Sequence, residues 1–349
     1  MGDRLARQTQ VGNTPVRNWV LGTVTVVMGV AGLFVSSHAG HGIAYYGGLL
    51  FFLFAMLFVM LLVKVGYDEV GEGAELSEVP GYLSKFAGIL MPASRSASPE
   101  KIVVRSIGTV DLRDSLAKGF SDFMLRPTHL IVLCVIYPVV GFIFARLTFG
   151  YDILPILFPL VSGFSLVGPL AATGLYELSR RREQGLDTSW WHVFDVRRSE
   201  SIHAIGALGI VLALILAGWL FAAQEIYELY FGSWVPNSIS ELAHRVFTTS
   251  SGWQLIAVGC GVGFLFAVVV LTISVVSLPM LLDRNVGAAT AVRTSIRAVA
   301  ANPITMAIWG FIVAGTLVLG SLPLFVGLAI VVPVLGHATW HLYRRVVER

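Results

Sequence analysis

Residues 202–223 read IHAIGALGIVLALILAGWLFAA and contain no Asp, Glu, Lys or Arg. A helix needs about 20 mostly apolar residues to cross the hydrocarbon of a bilayer, so this stretch predicts a transmembrane helix. With 56% hydrophobic and 13% charged residues, the chain has the composition of an all-α, polytopic integral membrane protein and not of a soluble domain. The predicted spans are 19–35, 43–63, 129–146, 153–176, 202–223, 253–282, 304–320 and 324–343.

The basic residues predict the orientation of these eight spans, because cytoplasmic loops carry an excess of Lys and Arg. If the N-terminus is cytoplasmic, all of the 24 Lys and Arg residues except Arg146 and Arg245 fall in cytoplasmic stretches. The sequence therefore predicts a protein of the bacterial inner membrane with both termini in the cytoplasm. The lipid bilayer is the expected partner of its basic face, and no motif indicates binding to nucleic acid.

Composition divides the chain into three parts. Residues 1–66 form a predicted two-span helical hairpin. Residues 67–104 are rich in acidic residues, Gly, Ser and Pro, a composition typical of a flexible cytoplasmic linker. Residues 105–349 hold the remaining spans as a six-span membrane bundle.

The six-span bundle has the pattern of three repeats, each an amphipathic helix followed by two spans. The amphipathic helices are predicted at 112–126, 190–199 and 288–302. In the first and third repeats, Pro169 and Pro333 are followed at identical offsets by an aromatic residue and an arginine pair. Aromatic and basic side chains at span ends anchor helices at the membrane surface. The predicted interface anchors are Arg180, Arg181, Trp340, Arg344 and Arg345.

The segments 168–182 and 333–344 carry a family resemblance. They resemble the bacterial integral-membrane family known as domain of unknown function 2189, and the resemblance covers about residues 105–349. Some members of that family are labelled cytochrome c oxidase proteins. The resemblance therefore implies a respiratory association, with a terminal oxidase as the expected partner, and it implies no established cofactor.

His337 and His341 are four residues apart and lie on one face of a helix. An ionisable group at membrane depth is a functional candidate, so this pair is a candidate site for a metal ion or haem. His129 and His203 are expected at the same depth and are candidate partners. The alternative for this pair is a structural, hydrogen-bonding role, which is the commoner use of histidines near the headgroup region. No Glu accompanies it, which excludes the HExxH motif of zinc proteases.

Two weaker patterns complete the candidate residues. His38 and His41, in the outer turn of the N-terminal hairpin, fit either a copper site or a polar turn, since imidazole ligates copper well. Small residues also allow close approach of helices in lipid. The predicted helix-packing positions are Gly259, Gly263, Gly310 and Gly315.

The motifs that are missing narrow the function. No charged residue lies in the middle of a predicted span, which argues against a transporter coupled to protons or cations. No phosphate-binding loop, dinucleotide fingerprint or GxSxG elbow occurs, so no enzyme is expected. The leading hypothesis is a non-enzymatic accessory, assembly or scaffolding protein of an inner-membrane complex. The alternatives are a channel or facilitator for a neutral or lipid-like solute, and a haem- or metal-binding protein.

Overall fold

Helices form almost the whole of the described structure. The computed structural model describes residues 102–125 and 154–348 except residue 324, all of which belong to a unit spanning Ser84–Arg349. The predicted hairpin at 1–66 and the predicted span at 129–146 lie outside the described residues, as does nearly all of the linker. Within the described ranges there is no β-strand, and extended pairing is limited to an antiparallel bridge between Val104 and Val347.

The α-helices of the described residues are numbered in chain order, and two 3₁₀ helices accompany them, Leu154–Ile156 and Trp190–Arg198. The α-helices are α1 Thr109–Met124, α2 Leu157–Ala171, α3 Thr173–Glu183, α4 Ile202–Phe231, α5 Ile239–Thr248, α6 Ser250–Ser274, α7 Ser277–Asp283, α8 Ala288–Ala301, α9 Pro303–Ser321 and α10 Leu328–Val346.

Four helical segments of the described residues are long and apolar enough to cross a membrane. They correspond to the predicted spans at 153–176, 202–223, 253–282 and 304–320. The predicted span at 324–343 becomes α10, which is not one of the four and whose second half carries His337, His341 and an arginine pair. The four segments are Leu157–Glu183, Ile202–Phe231, Ser250–Asp283 and Pro303–Ser321.

Two elements differ from their predicted form. Helix α4 continues past residue 223 to Phe231, because Ile226 and Tyr227 extend its buried face. Glu225 therefore belongs to this helix, and its side chain is buried. The amphipathic helix predicted at 190–199 forms a 3₁₀ helix instead.

A proline and a serine explain the break between α6 and α7. Pro279 has no N–H to offer the carbonyl of Val275 four residues earlier, and α7 begins just beyond that point. The buried side chain of Ser295, from α8, bridges two backbone groups at this break that a continuous helix would pair with each other. Its Oγ accepts a hydrogen bond from Val276 N at 3.2 Å and donates one to Thr272 O at 2.8 Å.

Helix α10 packs closely between α1 and α3 because glycines remove side chains at both contacts. A Cβ on Gly119 of α1 would lie 2.5 Å from the backbone N of Ala338, and one on Gly336 would lie 2.5 Å from Cδ1 of Leu175 in α3. Such distances leave no room for even a methyl group. Gly336 and Ala338 flank His337, so both neighbouring helices contact α10 beside this histidine.

Candidate functional site

Asp122 lies at the centre of a buried cluster where α1, α3 and α10 meet. Its side chain is only 4% exposed. Oδ2 accepts hydrogen bonds from Ser179 Oγ at 2.5 Å and from His341 Nε2 at 2.9 Å, and Oδ1 accepts one from Arg182. His337 Nδ1 lies 2.8 Å from Ser179 Oγ. We call these five residues the Asp122 cluster.

The hydrogen bonds assign the protons of this cluster. An ionised carboxylate only accepts, so His341 must carry a hydrogen on Nε2. The Ser179 hydroxyl gives its single hydrogen to Asp122, and its oxygen therefore accepts from His337, which carries a hydrogen on Nδ1. Burial would raise the pKa of Asp122, but hydrogen bonds from His341 and Ser179, with the charges of the two histidines, lower that pKa below its usual value.

A second cluster joins α10 to the ends of α3 and α7. Arg344 lies 3.1 Å from Glu183 Oε1 and 3.0 Å from Asp283 Oδ2. Trp340 Nε1 donates to Glu183 at 3.2 Å, and the Tyr343 hydroxyl donates to Asp283 at 2.6 Å. This Arg344 cluster ties three helix ends together, because each carboxylate receives hydrogen bonds from two side chains of α10.

Among the predicted interface anchors, Trp340 lies inside the protein and the arginines form ion pairs. Trp340 is 0% exposed, so it packs between helices and does not meet lipid headgroups as the sequence pattern suggested. The arginines form ion pairs that the sequence pattern did not reveal; Arg180 pairs within its own helix, whereas the partners of Arg181 and Arg345 lie on other segments. Besides the Arg344 cluster, the ion pairs are Arg180–Glu177 at 2.7 Å, Arg181–Asp195 at 3.3 Å and Arg345–Asp114 at 3.0 Å.

The predicted histidine pair lies beside Asp122 in the structure. His337 and His341 each use one ring nitrogen in the Asp122 cluster, whereas His203 is exposed in the first turn of α4. His129, His38 and His41 lie outside the described residues. Within the described ranges, no group of three or more His, Cys, Asp or Glu side chains is arranged to hold a metal ion. A metal ion or haem at His337 and His341 stays a prediction.

The predicted packing glycines divide into two kinds. A Cβ on Gly263 would lie 3.0 Å from Cη2 of Trp219 in α4, and one on Gly310 would lie 3.3 Å from Leu271 of α6. These two positions serve packing between the spans. A Cβ on Gly259 or Gly315 would meet no atom of the described residues within 4 Å.

Sequence reasoning missed the acidic members of both clusters. Asp122, Glu183 and Asp283 each lie near the end of a helix, and a carboxylate there looks like an ordinary solvated residue. One signal was available in the small residues around His337. Gly336, His337 and Ala338 predict close approach of neighbouring helices at a polar side chain, and such a side chain then needs a partner.

The geometry favours cross-linking over nucleophilic chemistry. Ser179 is 1% exposed, and its hydroxyl donates a hydrogen bond to the carboxylate of Asp122. In a Ser-His-Asp triad, by contrast, the serine gives its proton to the histidine. What the two clusters can do is hold four helix ends in one arrangement.

Comparison with known proteins supports the membrane assignment. No curated protein and no solved structure matches the chain significantly. Residues 157–283 match a family described as predicted integral membrane protein (DUF2189), whereas the histidine-bearing segment 333–344 lies outside the match. The resemblance to this family is thereby confirmed over residues 157–283, and together with the four apolar helical segments it identifies the chain as an integral membrane protein.

Proposed function

We propose that the protein is a non-enzymatic accessory, assembly or scaffolding protein of a complex in the bacterial inner membrane. It has eight spans, cytoplasmic termini and three repeated units in this proposal. The observation that carries it is the use of the polar residues at the helix ends. In the Asp122 and Arg344 clusters, each carboxylate receives hydrogen bonds from more than one side chain of the same protein, an arrangement that fixes a scaffold and exposes no nucleophile.

The outer faces of the spans fit the same role. Bulky apolar side chains cover the surface of the described spans, and in a membrane such surfaces contact lipid or the helices of another protein. A respiratory terminal oxidase is the partner that the family resemblance implies. The exposed side chains include Ile210, Leu214, Phe264, Phe311, Val318 and Leu319.

Affinity purification tests this proposal. The tagged full-length protein is extracted from its native membranes in a mild detergent, and the co-purifying proteins are identified by mass spectrometry. We expect a membrane complex in stoichiometric amount, and oxidase subunits would identify the implied partner. Recovery of the chain alone would contradict the accessory role.

One observation favours a facilitator for a neutral or lipid-like solute as the second candidate. Two apolar segments are broken, at Ala172 between α2 and α3 and at Val275 between α6 and α7, and discontinuous helices commonly form solute paths in transporters. Reconstituted vesicles should then show solute flux that Gly168→Leu blocks. Gly168 suits this test because a Cβ there meets no atom of the described residues within 4 Å.

A further inference from the structure

A cleft of about 420 Å³ opens beside the Asp122 cluster, between α1, α3 and α10. Four basic side chains and two carboxylates contribute charge to its walls. It lies next to the end of the apolar segment Leu157–Glu183, which is where a lipid headgroup would be found beside a membrane span. The charged wall residues are Lys118, Arg182, Arg344, Arg345, Asp122 and Glu183.

The ion pairs orient the arginines, and on the walls of the cleft four basic side chains outnumber two carboxylates. Asp122 accepts from Arg182, and Glu183 accepts from Arg344. Arg344 also pairs with Asp283, and Arg345 pairs with Asp111 and Asp114; these three carboxylates do not line the cleft. A guanidinium carries five N–H donors in a planar fork that matches the oxygens of a phosphate, so an arginine that gives two or three of these donors to its partners keeps others that can bind an anion.

An apolar slot adjoins this cleft. It shares Asp122, Ser179 and Arg182 with the cleft, but its other walls are mostly hydrophobic. Its volume of about 40 Å³ is enough for a short stretch of chain only. A basic cleft beside an apolar slot fits a ligand that carries an anionic group next to a hydrocarbon chain. The apolar walls of the slot are Phe123, Leu125, Leu175, Leu178 and Pro333.

We propose that the cleft binds the phosphate of an anionic phospholipid, with the adjoining methylene groups of the lipid in the apolar slot. The recognised chemistry is a phosphate ester anion, which soluble phosphate esters share. This inference does not depend on the accessory role, because a scaffold and a facilitator would both accommodate a bound lipid.

The test measures stabilisation of the purified full-length protein, stripped of lipid in a neutral detergent. Its melting temperature is followed while phosphatidylglycerol, phosphatidylcholine or glycerol phosphate is added. We expect a saturable rise with phosphatidylglycerol and a much smaller one with phosphatidylcholine. Equal responses to the two lipids would overturn the proposal. An equal rise with glycerol phosphate would overturn the lipid and assign the cleft to a soluble phosphate ester.

Two charge reversals on α1 distinguish binding in the cleft from a general attraction of anionic lipid to the basic surface. Lys118 is exposed and lines the cleft, whereas Arg113 is exposed on the same helix and does not line it. Lys118→Glu should raise about thirtyfold the phosphatidylglycerol concentration that gives half of the full rise in melting temperature. One basic side chain near an anionic surface contributes about 1 kcal/mol, the reversal changes two charges, and about 1.4 kcal/mol is a tenfold change. Arg113→Glu should leave that concentration unchanged. Equal shifts in both variants would refute the site. Lys118→Gln, which removes one charge and should give a smaller shift, replaces the reversal if the reversal prevents folding.

Discussion

At the scale of single residues, Asp122 holds together groups from three helices. Its carboxylate accepts hydrogen bonds from Ser179 and Arg182 of α3 and from His341 of α10, while the residue itself belongs to α1. The usual cost of a buried carboxylate is offset by these charge-assisted hydrogen bonds. A residue of this kind stabilises one relative placement of its helices, because any other placement leaves a buried charge without partners.

Replacement of this carboxylate should therefore destabilise the protein. Asp122→Asn turns one accepting oxygen into an NH₂ donor that faces other donors, and we expect a loss of about 1.5–3 kcal/mol, the usual worth of hydrogen bonds to a charged group. The measurement is the melting temperature in detergent. Asp114→Asn on the same helix is the matched control. Asp114 pairs with Arg345, their side chains are 47% and 40% exposed, and exposed ion pairs contribute less than about 1 kcal/mol. Equal losses in the two variants would contradict the central role of Asp122.

The lowered pKa of Asp122 predicts a loss of stability in acid. The folded state holds the proton of this carboxyl less tightly than the unfolded state, so the stabilisation is fully present above the ordinary carboxyl pKa of about 3.9. It is lost as the pH falls through the lower, folded-state pKa. Below about pH 4, the melting temperature of the wild type should fall more steeply than that of Asp122→Asn as the pH decreases. Parallel pH profiles would show that Asp122 does not titrate in this way.

At the scale of helices, the seam between α1 and α10 depends on Gly119. Because Gly119 has no side chain, the backbones of α1 and α10 can approach each other, and Asp122 then lies within hydrogen-bonding distance of His341. In Gly119→Ala the new Cβ would meet the backbone of Ala338 and the carbonyl of Val334 at 2.5–2.7 Å, so the helices must separate. We expect a cost of about 1–3 kcal/mol, typical of overpacking, measured as a lower melting temperature.

The control for this substitution is Gly259→Ala, where a Cβ meets no atom of the described residues within 4 Å. This variant should be as stable as the wild type or slightly more stable, since alanine favours the helix. If Gly119→Ala were equally well tolerated, close packing of α1 on α10 would not be what holds the helices together at the Asp122 and Arg344 clusters, which we call the polar junction.

Arg344 performs the equivalent task for α3, α7 and α10. Arg344→Gln removes the cation between Glu183 and Asp283 and leaves two partly buried carboxylates without it. We expect a loss of about 1.5–3 kcal/mol, whereas Arg198→Gln should cost little, because Arg198 is 87% exposed and lies 3.7 Å from its partner. Thermal melts of the two variants check this difference, and a tolerated Arg344→Gln would show that the other contacts suffice.

The helices themselves were largely predictable and the junction was not. Long apolar stretches such as 202–223 must be helical in a membrane, because all backbone hydrogen bonds have to be satisfied internally. The identity of each ion-pair partner depends on which helices become neighbours. Sequence reasoning therefore found Arg344 and Trp340 and assigned them to the lipid surface, whereas the structure pairs them with Glu183 and Asp283.

At the scale of the whole molecule, the protein combines apolar membrane segments with a cross-linked polar junction at their ends. The carboxylates of the Asp122 and Arg344 clusters bind side chains of neighbouring helices, and the spans present bulky apolar side chains outward. Both features agree with the proposed accessory role, which the next experiment tests.

The mass of the native particle tests the accessory role most directly. The tagged protein, expressed at its natural level, is extracted in mild detergent, and the mass and composition of the particle that contains it are measured. A chain of 37.8 kDa in an accessory role should migrate in a discrete particle larger than its homodimer and containing at least one other polypeptide. A particle built from this chain alone would contradict the account.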